Sequence, residues 1–170
     1  DHVGDNERWW QEWTAMAARI EPFGDEAEDA GRRLTAGAYY MRAMTYYFCG
    51  ERFIAPSERK RDTYRACLRC FEKGIARRWP QISRVEVPYE DAHLPAWFFK
   101  ADVAGPAPTV VMFDGLDNAK EMSVFFGGVE IAKRGIHVLA IDGPGQGEAL
   151  RLRDIPSRYD YEVPARAAYE

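Results

Sequence analysis

The stretch "TVVMFDGLDNAKEMSVFFGGVEIAKRGIHVLAIDGPGQGE", residues 109–148, decides the fold. It opens with an uninterrupted apolar run, as expected of a strand covered on both faces. That run stops abruptly at Asp114 and Gly115. An amphipathic helix is expected next, with Asn118 at its N-cap and Glu121 three residues on in a capping-box arrangement. Met122, Phe125, Val129 and Ala132 form its apolar stripe, and Gly135 is its stop. "IHVLAIDG" (136–143) reads as a second buried strand. Strand, helix and parallel strand make a β-α-β unit of an α/β sheet.

Upstream, "ISRVEVPY" (82–89) and "LPAWFFKA" (94–101) alternate like two strands, with a hairpin turn at "EDAH" (90–93). Residues 1 to about 79 carry almost no strand signal. "ERWWQEWTAMAARI" (7–20) spaces Trp9, Trp13, Ala17 and Ile20 for one helix face, and Pro22 is expected to end that helix. A second helix is expected over residues 24–50, its acidic first turn matched to the positive end of the helix dipole, with Gly50 as the stop. A third should start at Pro56 and Ser57, with Ser57 as cap, and run to Trp79. The expected division is a helical module over 1–80 and the first part of an α/β domain over 81–170. A last helix begins near Pro164.

The chain has 170 residues, 46% apolar and 29% charged, with a net charge of -4. That acidic balance excludes nucleic acid as a partner, since phosphate binding needs a basic surface. No apolar stretch approaches the ~20 residues that span a membrane, so no membrane partner is expected. No secretory signal is visible, and a reduced, cytoplasmic protein fits the three cysteines best. Cys67 and Cys70 form a C-x-x-C, but in a helical pattern and without two further ligands at zinc spacing, which points to core packing. No metal and no organic cofactor is expected.

Glycines 143, 145 and 147 are spaced G-x-G-x-G rather than G-x-G-x-x-G, Pro144 removes an amide, and no helix is expected to begin at Gly147. A phosphate cradle is therefore rejected. Asp142 and these glycines are expected to shape the floor of a crevice. Gly115 is expected to hold a backbone conformation that a β-carbon would strain.

Together, "GLDNAKE" (115–121) and "RGIHVLAIDGPGQGEALR" (134–151) resemble the α/β-hydrolase superfamily. The narrower resemblance is to its FrsA-like group, which includes 2,6-dihydroxypseudooxynicotine hydrolase and the Ayg1-type polyketide hydrolases. The helical segments "AGAYYMRAMTYYFCGERF" (36–53) and "ERKRDTYRACLRCFEKG" (58–74) are similar to that group's N-terminal module. The resemblance implies a partial α/β-hydrolase fold and a serine hydrolase acting on an ester or on a carbon–carbon bond of a β-diketone-like or aromatic ketone substrate. It implies that the backbone N–H of Leu116 is one oxyanion donor. It implies a Ser/Asp/His triad lying beyond residue 170, because Ser57, Ser83, Ser123 and Ser157 all lack the G-x-S-x-G frame and neither His93 nor His137 matches the catalytic histidine. Lys120 and Glu121 match the group's "KE" and are expected to act as cap and surface charge.

Tyr39, Tyr40, Tyr46 and Tyr47 crowd one helix. Either that helix is buried on both sides, or these rings, with Asp117, meet a small-molecule substrate. The rest of the hydrolase chain is the other expected partner, and a homodimer is admissible. The rival reading is a non-catalytic binding or regulatory protein on the same scaffold.

Overall fold

Ser57 begins the third helix as its sequence suggests, its Oγ accepting the Lys60 N–H at 3.3 Å. The computed structural model describes residues 4–115 and 117–170, and these divide into two units at Pro80 and Gln81. The first unit holds three helices, α1 (Asn6–Asp29), α2 (Arg33–Glu51) and α3 (Glu58–Arg78).

Pro22 does not end α1, contrary to the sequence reading. It lies on the exposed side, while Ala17, Gly24 and Ala27 keep the opposite side buried through the same turns. Tertiary packing thus outweighs the hydrogen bond that proline removes. The chain turns instead at Gly31, whose φ of +71° lies in the left-handed region. There the Gly31 N–H bonds to the Glu28 carbonyl at 2.8 Å and the Arg32 N–H to the Ala27 carbonyl at 2.8 Å. This is the paired closure of a glycine-capped helix.

The acidic run therefore sits in the last turns of α1, not the first turn of α2, where the helix dipole disfavours it. Cations of α3 offset this. Glu21 pairs with Arg69 and Asp25 with Lys73, both at 2.9 Å, and Glu28 pairs with Arg77. Cys67 and Cys70 are buried on α3, as core packing requires. Burial pushes the Cys70 thiol up to about 12.

In the second unit, β1 (Ile82–Tyr89) and β2 (Ala92–Phe99) form an antiparallel hairpin in which Tyr89 faces Ala92. β4 (His137–Ile141) lies antiparallel to β2, and β3 (Thr109–Phe113) parallel to β4, giving the order β1-β2-β4-β3. β3 is thus an edge strand among the described residues. It is not covered on both faces as expected: Val110 and Val111 are 38% and 37% exposed. The core lies between β1, β2 and β4, where Val87, Leu94, Ala96 and Ile141 pack with Ala149, Phe113 and Val163.

The single helix expected after Asn118 is also replaced. A 3₁₀ helix (Lys120–Val124) follows the extended Ala119, and α4 (Gly128–Lys133) comes separately. Gly127 at φ +114° interrupts the run. Lys120 and Glu121 are drawn inward rather than placed on a solvent face. α5 (Gly147–Arg151) does begin at Gly147, against expectation, and α6 (Glu162–Tyr169) closes the unit.

Candidate active site

β3 and β4 run parallel with Phe113 opposite Ile141, so the loops that follow both leave the sheet at its carboxyl end. In open α/β sheets ligands bind beyond that end. Leu116, the expected oxyanion donor, lies outside the described residues. Its neighbours are held from several sides.

Asp142, fully buried, is the centre of the second loop. Its carboxylate accepts the Lys120 N–H at 2.7 Å, the Lys120 ammonium at 2.9 Å and the Glu148 N–H at 2.7 Å. The last of these serves the N-terminus of α5 in place of a local cap. The Lys120 Nζ also meets Glu121 Oε1 at 2.7 Å and Glu148 Oε2 at 2.9 Å. Trp97 Nε1 donates to Glu121 Oε1 at 2.9 Å, while Arg84 and Arg153 reach the other oxygen of Glu148 at 2.7 and 2.9 Å. The expectation of Lys120 and Glu121 as cap and surface charge is corrected, since both are inaccessible to solvent. Their charges tolerate burial because each finds an opposite charge or a donor within the cluster.

The protonation states follow. Burial works against the charge on Lys120, but Asp142, Glu121 and Glu148 outweigh it and hold its pKa above the usual lysine value. Burial raises the Asp142 carboxyl, with Lys120 opposing. Burial also works against ionised Glu148, yet Lys120 and Arg84 hold it below the usual carboxylate range. The cluster ties both loops to β1 and β2 without offering a reactive group to solvent.

Gln146, 6% exposed, joins the two loops directly. Its Oε1 accepts the Gly143 N–H at 2.9 Å and the Tyr161 hydroxyl at 3.0 Å, and its Nε2 donates to the Asp114 carbonyl and, at 3.4 Å, to the Gly115 carbonyl. A backbone N–H on one side and two carbonyls on the other leave only one orientation of the amide. The Asp114 carboxylate accepts from Ser123 Oγ at 3.3 Å, so it is engaged by the segment after the turn. Burial raises its pKa, Ser123 opposes, and the negative charges of Asp142 and Glu121 add to the rise.

The other expected residues fall in both units. Asp117 is exposed. Tyr40 is buried within the helical unit, its single hydroxyl proton shared between Asp25 at 2.6 Å and Glu28 at 2.9 Å. Tyr39, Tyr46 and Tyr47 remain half-buried. Tyr46 packs 5.6 Å from Trp13, and Tyr47 donates to Glu21 at 3.3 Å. His137 Nδ1 accepts the Ala101 N–H at 2.9 Å. Gly115 is corrected too: its φ is outside the left-handed region, and an added β-carbon would have no neighbour within 4 Å. Sequence reasoning missed Gln146 and the inward turn of Lys120. The available signal for the first was a single long polar side chain flanked by glycines in "GPGQG".

No family model matches the chain. It is 32% identical over 167 residues to the α/β-hydrolase xenA of Xenoacremonium sinensis, covering 95% of this chain and 39% of that protein. It is 30% identical to 20-hydroxy-prefusarin hydrolase of Gibberella moniliformis, covering 94% of this chain and 40% of the relative. The fold superposes on the crystal structure of 2,6-dihydroxy-pseudo-oxynicotine hydrolase with a TM-score of 0.78 at 26% identity, over 94% of this chain and 44% of that one. The chain matches the N-terminal part of these α/β-hydrolases and has their fold over that part. It is similar to both the pseudo-oxynicotine hydrolase and the fungal enzymes, and it spans about two fifths of the length of the curated relatives it matches.

Proposed function

We propose that this chain supplies the oxyanion side of a serine hydrolase acting on an ester, or on a carbon–carbon bond of a β-diketone, polyketide-like or aromatic ketone substrate. The single observation that supports it is the joining, through Gln146, of two loops at the carboxyl end of parallel strands. In this reading the Leu116 N–H donates to the oxygen of the tetrahedral adduct formed when a serine beyond residue 170 attacks the substrate carbonyl. The serine proton passes to a histidine base, and the leaving alkoxide or carbanion equivalent takes a proton in turn. Asp117, and the half-buried Tyr39, Tyr46 and Tyr47, are proposed substrate contacts. The names of two relatives, a 20-hydroxy-prefusarin hydrolase and a 2,6-dihydroxy-pseudo-oxynicotine hydrolase, support a small organic substrate.

The test is made on the complete hydrolase polypeptide. A serine-directed fluorophosphonate should label it stoichiometrically, and p-nitrophenyl esters should turn over. Leu116→Pro, which removes the amide N–H, should lower kcat by about a hundred- to a thousandfold with labelling site intact, the cost of one oxyanion donor. Absence of labelling, or Leu116→Pro with undiminished kcat, overturns the reading.

A further inference from the structure

We propose that α1 carries an interface for a second copy of this chain, a seam in which two α1 helices pack antiparallel about a twofold axis. The seam lies wholly within the helical unit, so it stands apart from the oxyanion reading. Trp9, Trp13, Met16, Ile20 and Phe23 recur at alternating steps of four and three residues. That is the spacing of a coiled-coil seam, narrower than the face a helix turns to its own core. α1 already has an inner face, with Ala17, Gly24 and Ala27 buried along it, and the seam runs beside it. Trp9, Met16 and Phe23 are 38%, 40% and 43% exposed, while Trp13 and Ile20 are half-buried. Single exposed apolar residues are ordinary, but a row of them marks an interaction surface. This row is about 21 Å long at the helical rise. Side chains of α2 broaden it: Trp13 packs 5.6 Å from Tyr46 and Phe23 5.6 Å from Tyr39, both tyrosines half-buried.

The charges beside the seam select the partner and the direction. Glu12 and Arg19 immediately precede the seam residues Trp13 and Ile20 and form an exposed flank. The opposite flank holds Trp10 and the buried Ala17 and Gly24, with no charge. Glu12 pairs with Arg8 at 3.0 Å, and Arg19 makes no ion pair among the described residues. Parallel helices would set the charged flank of one copy against the apolar flank of the other, whereas antiparallel helices set charged flank against charged flank. With Trp13 beside Met16 of the second copy, Glu12 falls opposite Arg19 of that copy, and twofold symmetry forms the pair twice. A slip of one heptad either way would oppose Arg19 to Arg19 or Glu12 to Glu12. In the favoured register the like charges of Asp5 and Glu26 meet only at the exposed ends, where salt screens them. This self-complementarity is what points to a second copy rather than to an unrelated helix.

The experiment follows the molar mass of the complete hydrolase polypeptide by light scattering through a dilution series, with sedimentation equilibrium for Kd. The wild type should form a dimer. Met16→Glu, which puts a carboxylate in the middle of the apolar seam, should raise Kd about a hundredfold or more. Arg19→Glu should raise it about tenfold, and Glu12→Arg combined with Arg19→Glu should return it to within about threefold of wild type. The Arg19→Glu deficit should fade in about 1 M sodium chloride. Circular dichroism should show unchanged helix content in every variant, since the substituted side chains are exposed. A monomeric wild type, an undiminished dimer in Met16→Glu or in Arg19→Glu, or a charge-swapped variant no tighter than Arg19→Glu overturns the proposal. If the wild type is monomeric and Met16→Glu melts at a lower temperature, the seam is covered by its own polypeptide instead.

Discussion

A β-carbon added at Gly147 would stand 2.2 Å from Oδ2 of Asp142, and the residue's φ of +34° already disfavours a side chain. The carboxylate cannot retreat, because it is pinned by two N–H groups and the Lys120 ammonium. Gly147→Ala should therefore destabilise the chain by about 2–3 kcal/mol in denaturant unfolding, at the upper end for a point substitution. Gly115→Ala should change stability by no more than about 0.5 kcal/mol, as for a surface position. Equal losses for the two would contradict this account. The glycines themselves were legible as turn residues, but which of them is sterically required was not. That depends on a carboxylate five residues away in the chain, and the inward course of Lys120 depends on three carboxylates, Glu121, Asp142 and Glu148.

At the scale of elements, α1 carries Pro22 through its exposed side without ending. Proline there forgoes a hydrogen bond to the carbonyl four residues back and crowds it. Pro22→Ala should raise stability by about 1–2 kcal/mol, less than the full ~3 kcal/mol propensity difference because proline also restricts the unfolded chain. Thermal melting followed at 222 nm checks it, and a lowered midpoint would mean that the proline itself is needed for packing. The strands and the hairpin were legible because period-two alternation survives in "ISRVEVPY" and "LPAWFFKA". The 3₁₀ segment was not, since its pattern fits an ordinary helix and only the ion cluster and Gly127 break it. For the site, the two loops and their glycines could be read in advance, whereas the amide that links them could not, being a contact across 32 residues.

At the scale of the whole molecule, several acidic side chains among the described residues serve as ion-pair partners. In the helical unit, the Tyr40 hydroxyl and Lys73 hold Asp25 below its ordinary value, and Arg77 with Tyr40 does the same for Glu28. Folded pKa values below the unfolded ones mean that the contribution is complete above the unfolded values, near 3.8 and 4.5, and is lost as pH falls through the folded ones. The midpoint of thermal unfolding should therefore drop on acidification below about pH 4.5, and Tyr40→Phe should flatten that dependence. An unchanged pH profile in the variant would rule out this source of acid sensitivity. The sheet sets a different limit. β3 is an edge whose outward backbone groups have no ladder partner among the described residues, and "TVVMF" carries neither charge nor proline. Lysines, prolines and bulges are how soluble proteins blunt such edges. Until something covers it, this strand is a template for another strand, and crowding rather than heat becomes the condition under which the chain is lost to aggregates.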